Sequence, residues 1–298
     1  MSTKVLITGS AGYLGGRLAQ HLSRQHGWSV RCGVRPGAGT GGDNTGPGEV
    51  VAVDVLDDSA LLQACADMDM IVHLAALNDA DCRRSPERAF LVNCVGTQKL
   101  VDAAITSGVS RLVYVSTAHV YGAPLAGTIS EATIPRPVSC YAITHRAAED
   151  IVLAAHQGQR IGGLVLRLSN AFGAPIDARV NAWMLLANNL CREAVTAGTL
   201  TLRSSGLDWR DFVPITDAVT GITHALTMPR PLIGDGVFNL GGNTPMRVVD
   251  FAYLVATRCR GVLGFDPPIT RPVIADERPA GPAIDFLLDK LIATVYTP

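Results

Sequence analysis

The stretch VLITGSAGYLGGRLA, residues 5–19, joins an apolar run to three regularly spaced glycines. Gly9, Gly12 and Gly15 follow the apolar run directly and open a segment with helical periodicity. In a strand–turn–helix unit the first glycine permits a tight turn, the second lets the backbone approach a pyrophosphate, and the third allows close helix–strand packing. The helix N-terminus then offers N–H groups and a positive dipole end to the phosphates. The stretch therefore predicts a dinucleotide site, with an empty structural turn as the alternative.

Further apolar runs alternate with helix-length segments through the first 170 residues. The runs are KVLIT (4–8), VVAVD (50–54), MIVHLA (70–75), RLVYVS (111–116) and GLVLRL (163–168). Such runs are typical of strands buried on both faces, as in a parallel sheet. Repeated strand–helix–strand units with right-handed crossovers build a doubly wound α/β sheet. The sequence therefore predicts a doubly wound parallel Rossmann sheet.

The pattern becomes less regular after residue 170. We expect a dinucleotide-binding domain at 1–170 and a smaller, discontinuous C-terminal substrate domain at 171–298. A helix is predicted at 180–196. DFVPITD (211–217) and VFNLGG (237–242) are predicted as strands that return to the first sheet.

Composition excludes several classes of protein. The 298 residues are 48% hydrophobic and 17% charged, which indicates a soluble globular chain. A net charge of −1 gives no electrostatic reason to expect nucleic acid or an anionic membrane as partner. The seven cysteines are scattered and never in a CxxC pair, which favours reduced thiols and no metal site. With no apolar run long enough for a signal peptide or a membrane span, we expect a cytoplasmic protein.

Other motifs extend the pattern over most of the chain. They are the spacing TGxxGxxG, VHLAA (72–76), NCVGT (93–97), STAHVYG (116–122), LRLSNAFG (166–173), WRDFVPITDAV (209–219) and FNLGG (238–242). Together they resemble the extended short-chain dehydrogenase/reductase family, in its nucleotide-sugar epimerase, dehydratase and reductase branch. The resemblance implies NAD or NADP as cofactor and a nucleotide-diphosphate sugar as substrate. It also implies a homodimer that packs the segments 87–107 and 141–158.

The resemblance and the glycine turn assign a set of cofactor-binding residues. The set is Gly9, Ala11, Gly12, Tyr13, Leu14, Gly15, Arg35, Asp54, Val55, Leu74, Ala75, Ala76 and Asn93. The second strand ends in CGVR (32–35), with Val34 where an acid would select NAD. Arg35 either pairs with a 2′-phosphate, which favours NADP, or is a solvated loop arginine. Asp54 either lies near the adenine or caps the helix of DDSALLQACA (57–66).

Three residues match the reacting centre of the family. The resemblance makes Thr117 the hydroxyl that orients a substrate oxygen and Tyr141 the acid/base. His145, four residues on and on the same helix face, stands where the family has lysine. Lysine there holds the nicotinamide ribose and lowers the tyrosine pKa by its charge. Histidine, with a reference pKa of about 6.5, supplies little charge at pH 7.

This replacement leaves three outcomes open. Oxidised nicotinamide, itself cationic, lowers the tyrosine pKa enough for slow or alkaline-shifted turnover. Alternatively, a protonated His145 does the work of lysine, and activity rises at mildly acidic pH. In the third outcome the redox step is lost and the fold only binds.

On the substrate side the resemblance assigns Asn170, Arg210 and Asn181. Asn170 is expected near the substrate phosphates, and Arg210 is expected to grip the nucleotide diphosphate, since guanidinium offers forked donors. The alternative pairs Arg210 with Asp211 or Asp217. Asn181 is expected to begin the 180–196 helix and reach the diphosphate.

The residues after Thr117 narrow the reaction. Sugar 4,6-dehydratases of the family commonly carry an acid pair there, whereas this chain has Ala118 and His119. We therefore expect an NAD(P)-dependent nucleotide-sugar epimerase that acts through a transient 4-keto sugar. The alternatives are an NADPH-dependent 4-keto-sugar reductase and a non-catalytic dinucleotide- or sugar-binding protein.

Overall fold

The computed structural model describes residues 2–37, 48–272 and 281–297. Most of the glycine-rich stretch 36–48, expected to be a surface loop, lies outside the described residues.

A seven-stranded sheet, in the order β11-β7-β5-β4-β1-β2-β3, forms the centre of the molecule. All of its neighbouring strands pair in parallel. Its strands are β1 (Thr3–Thr8), β2 (Trp28–Val34), β3 (Glu49–Ala52), β4 (Met70–His73), β5 (Arg111–Thr117), β7 (Gly162–Leu168) and β11 (Val237–Leu240). The predicted doubly wound parallel sheet is confirmed.

Ten α-helices surround the strands in the described part of the chain. They are α1 (Tyr13–Ser23), α2 (Asp58–Cys65), α3 (Asp79–Arg84), α4 (Pro86–Ala89), α5 (Gly96–Thr106), α6 (Cys140–Gln157), α7 (Leu186–Thr196), α8 (Ile215–Thr227), α9 (Val248–Leu263) and α10 (Asp289–Ile292). A π-helical stretch, Phe90–Val95, joins α4 to α5, and 3₁₀ turns lie at Ala118–Tyr121 and Arg230–Leu232. None of the described helices is both long and apolar enough to cross a bilayer.

Strand β1, near the middle of the sheet, buries both of its faces. Val5 and Ile7 belong to the core cluster that contains Leu18 of α1 and Ile222 of α8. Leu6, between them, belongs to the cluster that α2, α5 and α6 form on the opposite face. Because neighbouring side chains on a strand point to opposite faces, burial of both requires an uninterrupted apolar run.

A smaller part of the fold is built mainly from residues after 170. A three-stranded sheet has the order β12-β10-β8, from β8 (Asn170–Phe172), β10 (Trp209–Pro214) and β12 (Pro245–Arg247). Two-stranded pairs join β9 (Leu200–Thr201) to β13 (Ile269–Thr270) and β6 (Gly127–Ile129) to β14 (Ile284–Phe286).

The predicted return of two strands to the first sheet is half correct. Val237–Leu240 does pair with β7 at the edge of the large sheet. The predicted strand at 211–217 does not return, because Trp209–Pro214 pairs with β8 and β12 instead. There Phe212 stacks on Phe251 of α9 with ring centroids 4.1 Å apart, so its apolar face is buried outside the large sheet.

The predicted helix at 180–196 begins six residues later, at Leu186. The buried Asn188 accepts a hydrogen bond from the Gly173 N–H and donates one to the Ala182 carbonyl. These bonds hold the preceding segment in a non-helical path.

The carboxyl ends of β5, β4, β1 and β2 lie side by side at one edge of the sheet. Three segments that are distant in sequence therefore meet at this edge. They are the glycine turn after β1, the residues after β4, and Thr117 at the end of β5. This is the edge where open α/β sheets bind ligands.

Candidate active site

The turn between β1 and α1 requires its glycines. Gly9 has a φ of +72°, and a Cβ there would lie 2.8 Å from the Ala75 backbone nitrogen. A Cβ on Gly15 would collide with the Gly9 carbonyl oxygen. Helix α1 begins after Gly12, which is extended, and no side chain caps the helix N-terminus. Its N–H groups therefore remain available to an anion, and the turn fits a dinucleotide pyrophosphate.

A groove of about 380 Å³ runs along this edge of the sheet. Most of the predicted cofactor residues line it: Gly9, Ala11, Gly12, Arg35, Asp54, Val55, Leu74, Ala75 and Ala76. Asp81, Arg88 and Val92 also line it, although sequence reasoning did not assign them. The sequence pattern that could have indicated Arg88 and Val92 is their i, i+4 spacing, which puts them on one helix face after a strand that ends at the site. No such pattern marks Asp81.

Asp54 lies in the groove wall, and its alternative role as a helix cap is wrong. The Asp57 carboxylate caps α2 by accepting hydrogen bonds from Ser59 N and Ala60 N. Asp54 accepts a hydrogen bond from Leu56 N, in the turn before the helix. The exposed Asp54 therefore remains accessible to a ligand in the groove.

The other predicted cofactor residues, Tyr13, Leu14, Gly15 and Asn93, are not among those that line the groove. The Tyr13 hydroxyl donates to the Gly173 carbonyl at 2.9 Å, and Leu14 packs against the apolar core. Asn93 is buried, where its Oδ1 accepts from Leu77 N at 2.8 Å and its Nδ2 donates to Thr144 Oγ1 at 3.0 Å. This geometry makes Asn93 a tie between the groove wall and α6, and a direct contact with cofactor stays a prediction.

Thr117 and Tyr141 meet at the end of β5. Thr117 is buried, and its Oγ1 accepts from the His119 N–H at 3.2 Å. Tyr141 lies in the first turn of α6, which Ser139 caps by accepting from Ala142 N. Burial raises the pKa of the Tyr141 phenol to about 12, opposed by a hydrogen bond with Thr117. The two predicted catalytic hydroxyls are therefore together, and the phenol is held in its neutral form.

His145 lies one helical turn after Tyr141, and their ring centroids are 4.4 Å apart. Its Nδ1 is 2.6 Å from the Tyr114 hydroxyl. Burial, together with the charges of the nearby His73 and His119, lowers the pKa of His145 to about 3. This lowered pKa argues against the hypothesis that a protonated His145 does the work of lysine at mildly acidic pH, because burial disfavours the charged form.

Arg146 of α6 and Arg167 of β7 do not replace the positive charge that lysine would supply at position 145. Arg167 Nη2 lies 2.8 Å from Glu149 Oε2 in a fully buried ion pair, and Arg146 pairs with Glu149 and Asp150. Ser116 also donates to Glu149 at 2.6 Å. Each of these cations is paired with a carboxylate, so none is left for the Tyr141 phenol.

Arg210 lies close enough to His119 for its charge to act on that imidazole. Burial lowers the pKa of His119, and the charge of Arg210 lowers it further. The proposed pairing of Arg210 with Asp211 or Asp217 is wrong. Asp211 accepts from Gly242 N and Thr244 N at 2.9 Å each, and Asp217 accepts from Thr216 Oγ1.

The two predicted substrate-site asparagines differ in placement. Asn170 Nδ2 donates to the Asp211 carbonyl at 2.9 Å, which fixes the side chain beside the strand that carries Arg210. Asn181 is exposed and lies before α7, with its Nδ2 3.4 Å from Met184 Sδ. It does not begin a helix, because α7 starts at Leu186.

A protein-family model and several known proteins match most of this chain. The family model described as "NAD dependent epimerase/dehydratase family" matches residues 5–241. The chain is 29% identical over 265 residues to dTDP-glucose 4,6-dehydratase of Streptomyces antibioticus, covering 84% of this chain and 76% of that one. It is 26% identical over 294 residues to dTDP-L-rhamnose 4-epimerase of Burkholderia thailandensis, covering 85% and 80%.

Solved structures share the fold. UDP-glucuronic acid 4-epimerase from Bacillus cereus, in complex with UDP-glucuronic acid and NAD, superimposes with a TM-score of 0.78 at 23% identity. The match covers 99% of this chain and 94% of that one.

Proposed function

This chain belongs to the NAD dependent epimerase/dehydratase family, and we propose that it is a nucleotide-sugar epimerase acting through a transient 4-keto sugar. It is an enzyme of the extended short-chain dehydrogenase type. The observation that carries the proposal is the Thr117–Tyr141 pair at the end of β5, the strand next to β4, after which groove residues Leu74 to Leu77 follow. A phenol next to a hydroxyl, at the end of a parallel strand, can move the proton of a sugar hydroxyl.

The chain supplies orientation and proton transfer, while a bound nicotinamide would accept and return the hydride. Thr117 orients the sugar hydroxyl that is to become a ketone. Tyr141 takes its proton as the C–H bond breaks and gives the proton back when the ketone is reduced on the opposite face. The groove residues from Gly9 to Ala76 would hold the dinucleotide, and the uncapped N-terminus of α1 would bind its pyrophosphate.

The residues after Thr117 favour epimerisation over water elimination. Ala118 is buried and has no titratable group, and burial lowers the pKa of His119 so that it is neutral. Elimination across C5–C6 needs a base and an acid, which these side chains do not provide. The similarity to 4,6-dehydratases therefore indicates shared ancestry and cofactor use rather than the same reaction.

Arg210 and Asn170 are proposed to bind the nucleotide diphosphate from the C-terminal domain. Burial lowers the pKa of Arg210, whose main charged neighbour is Asp208. A diphosphate would provide the anion that a partly desolvated guanidinium favours. The position of Asn181, in the exposed segment before α7, leaves it free to approach the same ligand.

A homodimer through the predicted segments 87–107 and 141–158 also remains a proposal. Both segments carry apolar side chains that are more than 40% exposed. These are Phe90, Leu91, Val95 and Ile143. Burial of such a patch against a second copy would remove apolar surface from water.

The second candidate function is reduction of a 4-keto sugar with NADPH, favoured by Arg35 in the groove wall. If Arg35 pairs with a 2′-phosphate, Arg35→Ala should weaken NADP binding by about 10- to 100-fold, since a hydrogen bond to a charged group contributes about 1.5–3 kcal/mol. NAD binding should change little. Fluorescence titration with both dinucleotides measures this, with Arg24→Ala at an exposed site as the control. Equal weakening of NAD and NADP binding would show that Arg35 does not contact the 2′-phosphate.

The epimerase proposal is tested by following the hydride. UDP- and dTDP-sugars carrying deuterium at C4 are incubated with protein and a trace of NAD or NADP. We expect both C4 epimers, with deuterium retained at C4. Loss of deuterium to free cofactor with accumulation of a ketone would favour the reductase. Binding of cofactor and sugar without any isotope transfer would contradict both enzymes and support the non-catalytic alternative.

A further inference from the structure

The buried pair between Tyr114 and His145 determines which imidazole nitrogen carries the proton. Tyr114 is 2% exposed and His145 is 4% exposed, and their contact of 2.6 Å joins the phenol oxygen to Nδ1. Within residues 2–37, 48–272 and 281–297, the Tyr114 hydroxyl contacts no other hydrogen-bond acceptor. The phenol must therefore either donate to Nδ1 or bury its own proton without a partner, which is costly.

Donation by Tyr114 is the arrangement that satisfies both groups. Burial raises the pKa of Tyr114 well above its ordinary value, so the phenol keeps its proton. A neutral imidazole has one N–H donor and one acceptor nitrogen. If Nδ1 accepts from Tyr114, the single imidazole proton lies on Nε2.

His145 Nε2 is buried and has no hydrogen-bond partner in the described part of the chain. In the tautomer set by Tyr114 it is an N–H donor that lacks an acceptor. An unsatisfied buried donor is destabilising, and a ligand oxygen at this position would satisfy it. The Tyr141 and His145 ring centroids are 4.4 Å apart, so the imidazole that carries this donor lies next to the reacting phenol ring.

We infer that Tyr114 is a positioning residue that holds His145 as the Nε2–H tautomer, so that the neutral imidazole donates to an oxygen of the bound dinucleotide. This inference rests on the proposed cofactor site. In the family, lysine both holds the nicotinamide ribose and lowers the tyrosine pKa by its charge. A neutral His145 would perform only the first of these roles, by a hydrogen bond.

The strand and the helix that carry this pair are in register. Tyr114 and Ser116 lie two residues apart on β5 and face the same side of the sheet. Their partners His145 and Glu149 lie four residues apart on α6, and the second pair also has a 2.6 Å bond. Two residues of strand span about 6.6 Å and four residues of helix span about 6 Å, so the two bonds form together. The buried Arg167–Glu149 ion pair holds Glu149 in place for the second bond, while the first bond depends on the Tyr114–His145 contact alone.

Nitrogen NMR of protein labelled with ¹⁵N-histidine tests the inference directly. We expect His145, assigned by the signal lost in His145→Gln, to show a protonated Nε2 and an unprotonated Nδ1. Added NAD should shift the Nε2–H signal. Protonation at Nδ1 in the wild type, or an Nε2–H signal unchanged by saturating NAD, would overturn the inference. If His145→Gln fails to fold, sequential backbone-to-ring assignment of the wild-type protein identifies the His145 signal instead.

Tyr114→Phe should give a mixture of tautomers and weaken dinucleotide binding by about three- to tenfold, the range expected for one hydrogen bond. Ser116→Ala, which breaks the second bond instead, should leave the His145 tautomer unchanged. An unaltered spectrum and unaltered affinity in Tyr114→Phe would contradict the role of Tyr114. Neither readout requires turnover, so failure of the epimerase assay would not produce failure here.

Discussion

Tyr141→Phe should lower kcat by about 10²- to 10⁴-fold, the usual cost of losing general acid/base assistance. The Tyr141 phenol is the titratable hydroxyl that is hydrogen-bonded with Thr117 at the end of β5. Its removal leaves the groove residues and the glycine turn untouched, because the ring of phenylalanine fills the same space. Dinucleotide affinity should therefore stay nearly constant while the chemical step slows.

The measurement is single-turnover isotope transfer from deuterated sugar, together with equilibrium binding of cofactor. Tyr253→Phe is the matched control, since it removes the same atom from a side chain that is 59% exposed on α9. The control should retain full activity. Full activity in Tyr141→Phe would show that another group moves the proton, and the mechanism proposed for this site would be wrong.

Turnover should rise with pH over the range 7–10, by close to tenfold per unit. Oxidation of the sugar needs the phenolate of Tyr141, and burial raises the pKa of this phenol to about 12. Below that pKa the phenolate fraction grows tenfold per unit of pH, so activity is lost as pH falls. Oxidised nicotinamide, itself cationic, would move the midpoint to lower pH, but the sign of the slope would stay the same.

His145 should add no acidic limb to this profile. Burial lowers its pKa to about 3, so it is neutral over the whole range in which the enzyme would be assayed. His145→Lys introduces a cation one turn from the phenol and should move the rising limb down by about 1–3 units. Thermal unfolding at each pH controls for loss of the folded state. An activity maximum near pH 6 would show instead that a protonated histidine assists the reaction.

Local chemistry accounts for the parts of the site that could be predicted. Gly9, Gly12 and Gly15 stand where the backbone takes conformations or makes close approaches that other residues cannot. The turn can therefore be predicted without knowing which segments pack against it. The apolar runs are readable for a similar reason, because a strand buried on both faces has no polar alternation. Thr117 and Tyr141 were assigned by resemblance to the family, not by local chemistry.

Other features depended on which segments meet. Asp54 and Asp57 both precede a helix in the sequence, and the hydrogen bonds alone show that Asp57 is the cap. The composition of Trp209–Pro214 predicts a strand. Its partners β8 and β12 are distant in sequence, so the pairing could not be predicted from the local residues. Arg88 lines the groove because of how α4 packs against α3 and α6, and its spacing from Val92 alone does not predict that position.

The sequence by itself determined that this chain forms a doubly wound sheet with a glycine turn, since both depend on residue type and spacing, and the Thr–Tyr centre was added by the family resemblance. The tertiary structure alone decided the state of His145. Its charge depends on burial, and its tautomer depends on Tyr114, 31 positions away in sequence and 2.6 Å away in space. A pKa is set by the surroundings of a group, and those surroundings exist only once the chain has folded.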